Sequence, residues 1–382
     1  MSAFRISVYD KNRVFQCQIG TPAALEVTIR HNLVSTLTMT VSLSHERVSK
    51  LMADGARLRV LFKGQHLISG PIVADSLDTD GVAGTYSVTV EDDFRVLREI
   101  LGWPAPSAAI SDQGYREYKT YLGPAETIVK TVVSENGVSR MAVPGLTVAT
   151  NLARGATIPG GVPFRMHPLA DQLFPAVTDA GIGVTVQQVG ANLVLDVYEP
   201  TTHPRSLSVK GRTLKQVSMT RTRPSASRVV IGGQGEGVAR AFRKLTDTAR
   251  ETKYGMRAEV FRDARDAKDD VETGAVATEI MDARGQEALD ETGPKNGVSL
   301  TLAGSGIFQY GPGGFRVGDR IPVKVTDDIT ITEVIRECIL KWVSPEYASV
   351  EPAIGELTNQ PERVTAQRIA ALARRQRNQE AR

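Results

Sequence analysis

Five histidines are the first candidates for chemistry, because a neutral imidazole can act near pH 7 as a general base or a metal ligand. His31, His45, His66, His167 and His203 stand far apart, with no HExxH and no pair at metal-ligand spacing. His45-Glu46 reads as a surface turn. Cys17 and Cys338 form no CxxC, which excludes a cysteine zinc site and a disulfide framework; both read as buried, reduced thiols. No GxSxG elbow is present, since Gly304-Ser305-Gly306 lacks the outer glycine spacing, and a triad scattered along the chain has no support. The richest glycine cluster is Gly232-Gly233-Gln234-Gly235-Glu236-Gly237. A phosphate loop needs Lys and then Ser/Thr after its last glycine, whereas Val238-Ala239-Arg240 follow here, so the cluster reads as a wide turn between strands. Gly311-Pro312-Gly313-Gly314 reads as another turn. No catalytic residue, metal ligand or cofactor-binding residue is assigned, and no cofactor is expected.

Three other groups remain. The segment from Arg262 to Glu291 carries ten acidic and four basic side chains, which is the only foothold for paired-carboxylate hydrolysis. A helix with solvated, charged faces from Val276 to Leu289 explains them better, although Gly285 within it costs about 1 kcal/mol relative to Ala. Trp103, Tyr115, Tyr118 and Tyr121 cluster near Arg116 and Lys119 and could stack a sugar or a single-stranded base; aromatic packing at a domain junction is the plainer reading. The third group is the tail from Pro361 to Arg382. Arg368, Ile369, Leu372, Arg374, Arg375 and Arg377 give it a basic helical pattern, read as a clamp onto a neighbouring subunit or as a frayed, solvated tail.

The elements that must position these groups are mostly strands. Phe4, Ile6 and Val8 alternate with polar residues, as do Leu25, Val27 and Ile29; Leu37, Met39 and Val41; Leu58, Val60 and Phe62; and Tyr86, Val88 and Val90. A short helix follows, capped by Asp92 or Asp93, with Phe94, Leu97, Ile100 and Leu101 on one face. Between Pro104 and Arg205 the period changes. Pro124 opens a helix bearing Ile128, Val129, Val132 and Val133 and ending at Asn136-Gly137; Pro168 opens another bearing Leu169, Leu173, Phe174 and Val177. The expected class is β-rich α+β, with two similar small antiparallel barrels, a mixed domain between them and a helical insertion. The boundaries are 1–103 for the first barrel, 104–205 for the mixed α/β domain, 206–261 with 296–356 for the second barrel, 262–295 for the insertion and 357–382 for the tail helix.

An internal likeness organises this plan. Gly55-Ala56-Arg57-Leu58-Arg59-Val60-Leu61-Phe62 matches Gly318-Asp319-Arg320-Ile321-Pro322-Val323-Lys324-Val325, and similar strands follow each. Two copies of one supersecondary unit are implied, the alternative being two unrelated small barrels. A trimer of such a chain presents six similar units around its axis and can dock on a sixfold ring.

Composition sets the outer bounds. The chain has 382 residues, 46 Lys+Arg against 43 Asp+Glu, and 41% apolar residues, which excludes wholesale disorder. Six Arg and two Glu lie in residues 361–382, so the remainder is close to neutral and specific nucleic-acid binding is not expected. No stretch is apolar enough to span a membrane, and the N-terminus lacks a secretory layout, so a cytoplasmic start is expected.

Tyr115-Arg116-Glu117-Tyr118-Lys119-Thr120, Gly123-Pro124-Ala125-Glu126, Asn136-Gly137, Arg228-Val229-Val230-Ile231-Gly232-Gly233, Arg284-Gly285-Gln286-Glu287-Ala288-Leu289 and Val317-Gly318-Asp319-Arg320 carry a resemblance by order and spacing. Over most of residues 1–355 the chain resembles the minor tail proteins, or baseplate hubs, of long-tailed actinobacterial phages. The resemblance implies a homotrimeric, non-enzymatic tail-tip protein, assembled in the host cytoplasm and carried in the virion. It also implies two related barrels per chain ringing the tail channel. The implied partners are the distal tail protein ring, the tape-measure protein and further tail-tip or receptor-binding proteins. Alternatives from other classes are a tail-associated peptidoglycan or glycan hydrolase and a glycan-binding tail-tip module.

Overall fold

A computed structural model of the chain describes residues 3–115, 118–211, 213–265, 267–269, 276–302, 309–311, 314–327 and 329–355. The first unit contains β1 (Phe4–Tyr9), β2 (Phe15–Ile19), β3 (Ala24–Arg30), β4 (Thr36–Ser42), β5 (Arg57–Phe62), β6 (Gln65–Thr79) and β7 (Gly84–Glu91). Every apolar residue that alternation points inward on β1, β3, β4, β5 and β7 is buried. All neighbouring pairs in this unit are antiparallel, in the order β3-β4-β7-β6-β5-β1-β2.

After β7 the chain makes a 3-10 turn and a single helical turn to Glu99. Phe94, Leu97 and Ile100 are buried as their spacing predicts, but Leu101 is exposed. It begins a two-residue strand against His167–Pro168, which rotates it off the helical face. Neither Asp92 nor Asp93 caps the turn; Asp93 is buried and engaged elsewhere.

The mixed region packs α1 (Ala125–Val133) and α2 (Leu169–Asp179) beside a small sheet of β8 (Leu146–Val148), β9 (Gly183–Val189) and β10 (Asn192–Tyr198), ordered β8-β10-β9. Both prolines stand just before their helices, and the four apolar residues named for each helix are buried. Asn136-Gly137 does not stop α1, because a π-helical turn continues to Arg140. The Asn136 amide donates to the Val132 carbonyl, its Oδ1 accepts the Trp103 N–H, and a Cβ on Gly137 would lie 2.9 Å from both Ile100 and Leu146. Here the dipeptide is a packing device rather than a turn.

The second unit has β11 (Leu207–Ser208) and β12 (Leu214–Thr222), then a long interruption. That interruption contains β13 (Arg228–Gly232), β14 (Phe242–Thr246), α3 (Thr248–Tyr254), β15 (Glu259–Asp263) and α4 (Ala277–Glu291). The unit resumes with β16 (Lys295–Leu302), β17 (Arg320–Lys324), β18 (Thr330–Ser344) and β19 (Tyr347–Gly355). Val229-Val230-Ile231 and Val260 ladder with each other in the order β14-β13-β15, not with the large sheet. Helix α4 covers that small sheet with Met281, Gly285, Ala288 and Leu289, so it is buried on one face where its charge pattern predicts a solvated helix. Gly285 is required there: a Cβ would meet Leu245 at 2.6 Å and Ile231 at 2.7 Å.

Where alternation predicts two separate barrels, the ladders form one 13-stranded sheet, in which β3 of the first unit pairs antiparallel with β18 of the second. Among the described residues neither unit closes on itself. Period-two patterning decides which face of a strand is buried, not which edge it joins, and an open edge pairs with whatever edge is presented to it. The two units accordingly share one apolar core, with Val27 and Ile29 packed among residues such as Ile335, Cys338 and Leu340. Among the described residues no helix is long and apolar enough to cross a membrane.

Candidate assembly surfaces

The resemblance between residues 55–62 and 318–325 extends into three dimensions. Gly55 and Gly318 both take positive φ, +75° and +93°, a region that glycine enters without strain. Each leads into a short strand, then a strand of 15 residues, then a third strand. Arg57 faces Pro71 and Arg320 faces Val334, so both hairpins share a register over four pairs under a shift of 263 positions, until a bulge between Val60 and Leu61 in the first sets them apart. The next ladders carry their first bulges at matching places, between Ile72 and Ala74 and between Ile335 and Glu337. Strand order extends the match: β3-β4-β7-β6-β5-β1 in one unit, β12-β16-β19-β18-β17-β11 in the other. They differ at one end, where β1 runs antiparallel to β5 but β11 runs parallel to β17.

The units also differ in what lies on their edges. The C-terminal half of β18 is covered by β3, from Glu337 opposite Arg30 to Lys341 opposite Glu26. Arg30 Nε donates to Glu337 at 2.7 Å and closes one end of that junction. The matching half of β6 has no such cover. β5 leaves it at Pro71, no other strand takes its place among the described residues, and Val73 to Thr79 are exposed, Leu77 by 53%. Among the described residues β12, the counterpart of β3, pairs only with β16.

The mixed region is bolted to this frame in two places. Arg57 pairs with Asp93, with 9% and 2% of their side chains exposed, and Ser69 Oγ donates to Asp93 at 2.7 Å while accepting the Gln188 N–H at 3.0 Å. Burial pushes the Asp93 carboxyl up, and Arg57 pulls it back down. The second bolt joins three parts of the chain. Burial, aided by Arg336, lowers His31 to about 4, so its imidazole is neutral. Asn32 Nδ2 then donates to His31 Nε2, His31 Nδ1 donates to Tyr198 Oη at 2.8 Å, and Tyr198 donates to the Val317 carbonyl at 3.1 Å. Asn32 also accepts the Val184 N–H and donates to the Ile182 carbonyl.

The aromatic candidates do not form one surface. Tyr121 is buried edge-on to Phe164 and donates to Glu135 at 2.5 Å; burial and that bond hold its phenol above its ordinary range. Trp103 is half-buried beneath the Arg140 guanidinium, 4.4 Å from its ring centre, and Tyr118 packs near Arg165. Tyr115 ends a 3-10 turn, and its side chain is outside the described residues. The tail residues Arg368, Ile369, Leu372, Arg374, Arg375 and Arg377 also lie outside them.

Four of the seven described acidic residues of the segment pair with arginines. Asp263 pairs with Arg240, Asp282 with Arg243, and Glu287 and Glu291 with Arg262. Sequence reasoning missed the most buried carboxylate, Glu126, which is fully enclosed and held by Arg154 and Lys130. The Arg154 hydrogen bonds hold it well below the usual carboxylate range, so it braces α1 as a permanent anion. Its only sequence signal is the Glu126/Lys130 spacing of four. Among the described residues no three His, Cys, Asp or Glu side chains converge to hold a metal.

Solved structures that share this fold are tail proteins. The chain is similar to the 43 kDa tail protein of prophage MuSo2 from Shewanella oneidensis, with TM-score 0.55, 14% identity and coverage of 92% of this chain and 98% of that one. It is also similar to prophage tail protein gp18 from Listeria monocytogenes EGD-e (TM-score 0.56, 13% identity, 97% and 99% coverage). The tail protein from Neisseria meningitidis MC58 matches with TM-score 0.53, 10% identity and 93% and 97% coverage. No curated protein matches. Residues 5–356 match the family described as Siphovirus ReqiPepy6 Gp37-like protein, and the chain belongs to that family.

Proposed function

We propose that this protein is the structural hub at the tip of a siphophage tail. It is a homotrimer that places six related strand units around the tail channel and adapts the sixfold tube to a threefold tip. The observation that carries this reading is the doubled unit, matched in strand order and register within one chain. The frame faces the distal tail protein ring, the mixed domain faces further tail-tip or receptor-binding proteins, and the end of the tape-measure protein sits inside. The channel is closed before ejection by shape, with no bond making. Each unit is a small barrel only in the sense that the assembled ring closes its sheets. Light scattering of the purified protein, followed by negative-stain imaging, tests the reading. A trimeric ring with six similar lobes is expected, and a monomer at every concentration overturns it.

A further inference from the structure

We infer that the open face of the β14-β13-β15 sheet is a binding site for a neutral saccharide, built from Phe242, Phe261 and the Arg240–Asp263 pair between them. The site goes beyond the hub reading and does not rest on it.

The registers fix which side chains share this face. Opposite Gly232 stand Phe242 on β14 and Asp263 on β15, and opposite Val230 stand Lys244 and Phe261. These positions alternate with Val229, Ile231 and Leu245, which pack with α4, so they form the other face of the sheet. Phe242 and Phe261 are 59% and 52% exposed there. Single apolar side chains in solvent are ordinary, but two phenyl rings on one small sheet face mark a surface that is covered in use.

The glycine-rich turn has its use at this face. A Cβ on Gly232 would lie 2.6 Å from Arg240 Nη2 and 2.8 Å from Phe261, so only glycine leaves the hollow that the guanidinium fills. Arg240 Nη2 donates to the Gly232 carbonyl at 3.0 Å and to Asp263 Oδ1 at 2.6 Å, and Nε donates to the Gly233 carbonyl at 3.2 Å. Its Cζ lies 5.7 Å from the centre of the Phe242 ring and 5.4 Å from that of Phe261. The head is thus held in place before any ligand arrives. Among the described residues Arg240 Nη1 has no hydrogen-bond partner, and neither has Asp263 Oδ2, from which Arg265 Nε stays 3.8 Å away.

A spare donor beside a spare acceptor, flanked by two apolar rings, complements a sugar. One hydroxyl accepts from Nη1, its neighbour donates to Oδ2, and the C–H faces of the pyranose lie on the phenyl rings. Charge selects the neutral class. Arg240 is neutralised by Asp263 and Arg228 by Glu251, so a polyanion finds no cation excess between the rings. An apolar protein segment would bury Nη1 and Oδ2 unpaired, at a cost that a hydroxyl-rich ligand avoids.

The full chain applied to an array of neutral oligosaccharides, with uronic-acid glycans and immobilised dT12 beside them, tests the site. Binding to at least one neutral glycan is expected. Phe242→Ala or Phe261→Ala should weaken it about tenfold or more, whereas Val238→Ala, which removes a fully exposed side chain outside the sheet, should leave it unchanged. Both phenylalanine variants should melt with the native chain, which separates lost binding from lost fold. Binding to no neutral glycan, a preference for dT12 or the acidic glycans, or indifference to both ring deletions overturns the site. A change of oligomeric state in the phenylalanine variants, read by light scattering, assigns the face to a second copy and overturns it as well. The ring-and-lobe imaging that decides the hub reading is unaffected by any of these outcomes.

Discussion

The two strand units share an order and a register, yet they are anchored differently: a buried ion pair fastens the first, while the second is held at Val317 by a hydrogen bond from Tyr198. Arg57 in the first unit is buried against Asp93 and ties the frame to the mixed domain; Arg320, its counterpart, is exposed. The first unit turns from β3 to β4 through residues 31–35, while the second carries a whole sheet and two helices between β12 and β16. A duplicated frame can thus hold its hydrogen-bond pattern fixed while its two copies take different duties, one fastening the body and one bearing an appendage. The difference lies in side chains and loops, not in strand order.

The contrast breaks most sharply at the paired arginines. Arg57→Ala is expected to cost about 3–5 kcal/mol, because it strands a buried carboxylate, whereas Arg320→Ala should stay within about 0.5 kcal/mol. Urea denaturation of both variants measures the difference, and equal losses would erase the distinction between the buried and the exposed arginine. The matched glycines come next. Gly318→Ala is expected to cost about 2–3 kcal/mol, since its Cβ would lie 2.6 Å from His31 Nδ1 and 2.9 Å from Tyr198 Oη, adding a clash to a positive φ. At Gly55 the nearest atom is Lys11 Cβ at 2.8 Å, in an exposed turn whose backbone must shift with it, so about 1–2 kcal/mol is expected from the same measurement.

Gly285→Ala probes the appendage. Helix propensity favours Ala by about 1 kcal/mol, but contact with Ile231 and Leu245 should reverse the sign and leave a net loss of about 1 kcal/mol, read by thermal melting. The smallest effect concerns Asp92, at the end of the first unit. Its Oδ1 is enclosed without a hydrogen-bond partner, and burial raises the carboxyl to about 7. The folded value lies above the unfolded one, so its contribution is full below about pH 4 and is lost as pH rises through 7. Asp92→Asn should therefore raise the melting temperature by a few degrees at pH 8, and the gain should shrink toward pH 4. His31 and His66 act with the opposite sign: burial holds each at about 4, so their contribution is lost as pH falls from about 6.5 toward 4.

Much of the frame is legible in the sequence, because alternation on β1, β3, β4, β5 and β7 states which residues enter the core, and the Gly–x–Arg repeat marks the duplication. The β3–β18 junction is not legible. It joins residues some 310 positions apart, and nothing in a period-two pattern names a partner that distant. Asn136-Gly137 misleads for a related reason: its turn-forming preference is local, while the enclosure of its side chain and the lack of room for a Cβ are tertiary. The aromatic candidates are dispersed by the same logic, since nearness in sequence put Trp103 and Tyr121 together on paper while the fold gives each a separate partner.

The hairpin of β12 and β16 has one further consequence. It holds the ladder from Leu214 to Thr222 against Lys295 to Leu302 while everything between 223 and 294 is looped out at one end. A junction that accepts that much chain without losing its register is a ready port for engineering. A reporter domain or an affinity loop spliced in place of β13 to α4 would leave the strand frame that carries it unedited.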